Sequence, residues 1–161
     1  MIIKHTQLCT AILVMLLAVT ALPTHASGHG TAEHGQPVLE GYSPVSYHEQ
    51  GHPEMGFRKH QSMYQGNVYW FTSAEQKKKF DASPSAYAPT FPHSCPYNLA
   101  QGRLETVDPT NFKIVDGQLL LFHRSTEQDG RQRWEESVVN NRITEKELLR
   151  RAKSNFIDLK F

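Results

Sequence analysis

Cysteine is nearly absent, and so is any excess of charge. The 161 residues hold two Cys, and 17 Lys and Arg stand against 16 Asp and Glu. Two cysteines exclude a disulfide-rich scaffold. The charge balance excludes a nucleic-acid binder that works by bulk charge. No internal repeat is present, and no nucleophile elbow, HExxH, Gly-rich phosphate loop or distinctive pair of carboxylates. The chain is therefore read as non-enzymatic. An apolar fraction of 39% argues against wholesale disorder. The length bounds the protein at one domain plus short extras. Nine His are the one unusual count.

Long apolar runs are missing too, except at the start. Lys4 and His5 precede an apolar stretch from Leu8 to Leu22, followed by Pro23, Thr24, His25 and Ala26. A basic start, a short apolar stretch and a small closing residue describe a secretory signal peptide. The stretch is short of the ~20 residues that span a bilayer. Cleavage after Ala26 leaves 135 residues and removes Lys4 alone among the charged side chains, so 16 charges of each sign remain. Cys9 leaves with the signal, and Cys95 becomes the only thiol of an exported protein, periplasmic or secreted. A single thiol in an oxidising compartment closes no internal bridge. It stays free, pairs with another molecule, binds a metal, or is buried and inert.

Residues 27–37 (SGHGTAEHGQP) read as a flexible leader. The stretch from Val38 to Tyr47 reads as an opening strand or ordered loop. Two hairpins are expected. One turns at Gly66-Asn67 between Met63-Tyr64-Gln65 and Val68-Tyr69-Trp70-Phe71. The other turns at Asp116-Gly117 before Gln118-Leu119-Leu120-Leu121-Phe122. Ser73-x-x-Gln76 caps a helix through Phe80, and Ser125-x-x-Gln128 caps another that carries Trp134. Asp108-Pro109-Thr110-Asn111-Phe112 reads as a turn. Thr144-x-x-Glu147 precedes Leu148, Leu149, Ala152, Phe156 and Leu159 at helical spacing, which predicts an amphipathic C-terminal helix. The fold class is small α+β.

Five segments in this order carry a family resemblance. They are Gly41-Tyr42-Ser43-Pro44-Val45-Ser46-Tyr47; Tyr64-Gln65-Gly66-Asn67-Val68-Tyr69-Trp70-Phe71-Thr72-Ser73-Ala74-Glu75; Phe80-x-x-x-Pro84-x-x-Tyr87-x-Pro89; Ser94-Cys95-Pro96-Tyr97-Asn98-Leu99-Ala100-Gln101-Gly102; and Asp108-Pro109-x-x-Phe112 with Val115-Asp116-Gly117-x-Leu119-x-Leu121. Together they resemble the YHS domain in its exported single-domain form, over about residues 38–136, with residues 137–161 as a C-terminal helical extension. The resemblance implies a small α+β core with two β-hairpins, possible soft-metal binding, and association with metal transporters. The cysteine loop departs from the family pattern. Ser94 stands for an aromatic, Pro96 for a small residue and Asn98 for glycine.

Those features set the expected chemistry. A thiolate is a soft ligand that suits copper(I), and also zinc. His93 lies two residues before Cys95, so in an extended loop both side chains face one way. His60 and Met63, with His48, His52 and Met55, are further donors before or within the first hairpin. One thiol excludes a closed tetrahedral thiolate site in a monomer. The expectation is an exported copper-binding protein for buffering or delivery. Its ligands are Cys95, His93, His60 and Met63, and its partners are the metal ion and a metal transporter or other exported protein. Neither nucleic acid nor membrane is expected as a partner after signal cleavage. The alternatives are a metal-free, non-catalytic interaction module in which Cys95 is a buried thiol, and a thiol redox protein, for which Cys95 lacks a CxxC partner.

Overall fold

The computed structural model describes residues 35–140 and 142–159. The expected signal peptide and residues 27–34 of the leader lie outside them. The described chain is mixed α and β, with two separate two-stranded antiparallel sheets and six helices.

The first stretch differs from its expectation. Val38–Gly41 forms a 3-10 turn in which Leu39 (φ 62°) and Glu40 (φ 53°) take left-handed backbone. Such a conformation is unfavourable for L-residues, and Leu39 is held in it with its side chain buried. Helix α1 (Pro44–Glu49) follows, with Pro44 in its first turn. There the missing N–H is no loss and the fixed φ favours a helix over a strand. Ser46 locks the start: its hydroxyl donates to the Ser43 carbonyl at 2.7 Å and accepts from the Glu54 N–H at 3.0 Å.

Strands β1 (Phe57–Tyr64) and β2 (Asn67–Phe71) form the first hairpin. Its turn is Gln65-Gly66, with φ of 49° and 77°, one residue earlier than expected. Both central residues of a type I′ turn need positive φ, and glycine takes the second. Asn67 therefore opens β2, and its amide donates back to the Gln65 carbonyl at 3.3 Å. Helix α2 (Ala74–Ala82) starts as its capping box predicts, with the Gln76 N–H donating to the Ser73 hydroxyl at 3.2 Å. Two short helices follow, α3 (Pro84–Tyr87) and α4 (Pro96–Ala100).

The second hairpin joins β3 (Asp108–Val115) to β4 (Gln118–Phe122) through Asp116-Gly117, at φ 49° and 73°. Asp108-Pro109 is the irregular beginning of β3 rather than a turn, because the pairing shifts register between Asp108 and Phe112. Helix α5 (Gly130–Asn140) starts later than Ser125 suggests. The Ser125 hydroxyl accepts from the Glu127 and Gln128 N–H groups and closes a local turn. Asp129 caps the helix instead, accepting from the N–H groups of Arg131 and Gln132. Helix α6 (Glu145–Asp158) is capped by Thr144 as expected, with the Glu147 N–H at 3.1 Å.

Strand β4 is apolar on both faces. Leu119 and Leu121 join a cluster with Tyr47, Tyr69, Phe71 and Phe80. Leu120 and Phe122 join the other, with Phe91, Cys95, Leu99, Trp134, Leu148, Leu149 and Ala152. Side chains alternate across a strand, so an unbroken apolar run is what burial on two faces requires. The C-terminal helix thus supplies a wall of the second cluster.

Candidate functional site

Cys95 is the N-terminal flanking residue of α4, and its side chain has no exposed surface. Its own N–H donates to the Glu105 carbonyl at 2.9 Å, which ties the cysteine loop to the strand-bound segment that follows α4. Around the sulfur lie apolar groups and a ring of N–H donors. The backbone N–H groups of His123, Asn98 and Tyr97 and the side-chain amide of Asn98 face it. These donors favour the thiolate, but burial outweighs them and pushes the Cys95 thiol up. Cys95 is consequently a neutral thiol at ordinary pH, with little of the nucleophilic or ligating form.

Asn98 is also nearly fully buried, and its amide orientation is set from the other end. Its Oδ1 accepts from Arg103 at 3.3 Å and from Gln128 at 3.2 Å. Its Nδ2 is buried near the sulfur and makes no hydrogen bond among the described residues. Gly130 closes the remaining side. A Cβ there would stand 2.8 Å from Sγ and 3.3 Å from the His123 backbone, so the first residue of α5 has no room for a side chain. The expectations assigned no role to Asn98, His123 or Gly130. Asn98 was visible only as a departure from the family loop. Nothing in the sequence brings His123 to Cys95.

The four expected ligands do not converge. Residues 91–94 form a turn rather than an extended loop, so His93 and Cys95 part company. His93 is exposed and places Nε2 3.0 Å from the Asn67 Oδ1. Met63 is 62% exposed on β1, and His60 is half-buried on the same strand. Among the described residues, no group of three His, Cys, Asp or Glu side chains could hold a metal ion. No described helix is long and apolar enough to cross a membrane.

The exposed apolar side chains are unevenly placed. Of the seven large ones among the described residues, Met55, Phe57 and Met63 fall within nine residues of the first hairpin. Lys59 lies over the Phe57 ring, 5.6 Å from its centroid, and Arg58 has no carboxylate partner among the described residues. Beside them is a hollow of about 180 Å³ walled by Gln36, Pro37, Arg58, Gln61 and Trp70. The Gln61 Oε1 is buried there without a hydrogen bond. A larger hollow of about 600 Å³ between Gln101, Thr144 and Arg151 is less open to chemistry, because Glu147 is already held by Arg150 and Arg151. That pairing keeps the Glu147 carboxyl down at about 2.

Comparison of the chain with family models, with curated proteins and with solved structures gives no match.

Proposed function

We propose that the chain is an exported, non-enzymatic protein-interaction module on a YHS-like core, with Cys95 as a packing thiol. The observation that carries this reading is the contrast between an enclosed sulfur and an open hairpin. The Cys95 side chain is 0% exposed, whereas Met55, Phe57 and Met63 are each at least half exposed within one short segment. Exposed large apolar side chains gathered in one short segment, with Arg58 and Lys59 between them, support a protein-binding surface there. The five family-like segments support a YHS-like core, since each falls on an ordered element or its connecting loop. A periplasmic or secreted location rests on the basic and apolar pattern before Ala26.

The copper-carrier alternative requires Cys95, His93, His60 and Met63 to meet. One experiment separates the two readings. The purified protein and its Cys95→Ser variant are titrated with Cu(I) under reducing conditions, against a competing chelator. A photo-crosslinking residue at Met63 is used in the exporting cell in parallel. The module reading expects the same Cu(I) uptake for both proteins and one recurrent crosslinked protein. Uptake of one Cu(I) per chain that is lost in Cys95→Ser overturns it in favour of the carrier.

A further inference from the structure

The first hairpin offers more than exposed apolar area, because two polar groups around its hollow lack partners among the described residues. Gln61 forms part of the wall of the hollow, with its Oε1 sealed from solvent. Arg58 is exposed on the same strand and carries no ion pair or hydrogen bond to a described residue. The indole N–H of half-buried Trp70 likewise makes no hydrogen bond among the described residues. Gln61 and Trp70 are direct cross-strand neighbours, and Gly41 backs the Trp70 ring, which a Cβ at Gly41 would meet at 3.0 Å. The ring is thus supported from behind.

Between Phe57↔Phe71 and Gln61↔Trp70 the pairing shifts register, so Arg58, Lys59 and His60 face no residue of β2. Charge and irregularity on an outer strand oppose pairing with another flat strand. They leave a seat for side chains instead. The available recognition chemistry is then one cationic fork, a second cation at Lys59 and one supported aromatic face.

Resting on the binding-module reading, we propose that this hollow seats an extended acidic segment of a partner protein. A carboxylate of the segment meets the Arg58 guanidinium, which takes carboxylates in a forked geometry. An apolar side chain lies against Trp70 and the flanking Met55 and Met63. A nucleic-acid strand fits less well, since only Arg58 and Lys59 supply positive charge on this strand.

The test is a titration of the isotope-labelled purified protein, followed by amide and indole NMR signals. The probes are capped eight-residue peptides with Glu at alternate positions and one apolar position varied through Leu, Val, Phe, Tyr and Trp. Two controls are the same set with Lys for Glu, and an eight-nucleotide oligothymidine. The expected result is movement of the Trp70 indole and Gln61 side-chain signals with at least one acidic peptide. Loss of at least tenfold in affinity is expected in Trp70→Ala and in Arg58→Gln, with unchanged unfolding midpoint for Arg58→Gln. Absence of shifts with every acidic peptide, shifts confined to another surface, or equal binding of the Lys set or the oligonucleotide overturns the proposal. A partner crosslinked through a different face sinks this seat and leaves the module reading standing. Cu(I) uptake that depends on Cys95 sinks the module reading itself.

Discussion

On one side of β4, Leu120 and Phe122 meet Trp134, Leu148 and Cys95 under a roof of helices α4 to α6. On the other, Leu119 and Leu121 meet Tyr47, Tyr69, Phe71 and Phe80, and the hairpin that closes this side turns its outer surface to solvent. The helical side satisfies many of its polar groups internally, although Asn98 Nδ2 and Asn111 Oδ1 are buried without a partner among the described residues. Trp134 donates its indole N–H to Glu145 at 3.2 Å, and Asn155 donates to the Leu99 carbonyl at 2.8 Å. Among the described residues, the hairpin side leaves the Arg58 guanidinium and the Trp70 indole N–H without a partner at its surface. The two sides differ in access rather than in completeness: Arg58 is exposed and Trp70 half-buried at the hairpin surface, whereas Asn98 and Asn111 are enclosed.

Three changes probe this contrast. The largest effect is expected from Trp134→Ala, which empties the centre of the helical side and breaks the α5–α6 link. Removal of a fully buried Trp costs about 3–5 kcal/mol, so the urea midpoint should fall sharply. Binding at the hairpin, measured on the fraction still folded, should stay as it was. An equal fall in hairpin affinity would erase the distinction between the two sides.

A smaller effect is expected where the sulfur and α5 touch. Gly130→Ala puts a methyl group 2.8 Å from Sγ, and overpacking of this kind costs about 1–3 kcal/mol. Cys95→Ala in the same chain should recover part of that loss, because it removes the atom in the way. A double-mutant cycle in urea measures the coupling. Simple additivity would show that Cys95 is not where the strain arises.

The smallest effect concerns His48, on the hairpin side. Its ring stands edge-on to Tyr87, 5.5 Å between centroids, and its Nε2 is buried without a partner. Burial holds its pKa below the ordinary 6.5, against the opposing pull of the Tyr87 carbonyl and of Glu49. Between the folded value and 6.5 the unfolded chain binds more protons, so stability falls as pH drops through that window and is level above it. His48→Gln should flatten this part of the stability–pH curve. A slope that persists in the variant assigns it to another group.

The sequence carried the local punctuation well and the long-range meetings poorly. Ser73 and Thr144 cap helices where their spacing places them, and Asp116-Gly117 turns the second hairpin, because each of these depends on neighbours within a few residues. Ser125 misled for a related reason: Asp129, which directly precedes the helix, takes the N–H groups. The candidate metal site failed to assemble for a different one. His93 and Cys95 share a face only if the loop is extended, and the turn at residues 91–94 removes that condition. The polar ring around the sulfur was illegible, since His123 and Gly130 come to Cys95 only through the packing of β4 and α5. The Arg58, Gln61 and Trp70 hollow was equally hidden, because it depends on a register shift that no residue pattern announces.

A strand with two buried faces leaves neither half able to melt alone. Pulling the hairpin side away strips Leu119 and Leu121, and the same backbone carries Leu120 and Phe122 out of the helical side. Heating should therefore produce one sharp transition, in which the enthalpy measured by calorimetry equals that inferred from the steepness of the melt. A partner bound at the hairpin would raise the melting temperature of the distant helices by the same amount as that of the strands it touches.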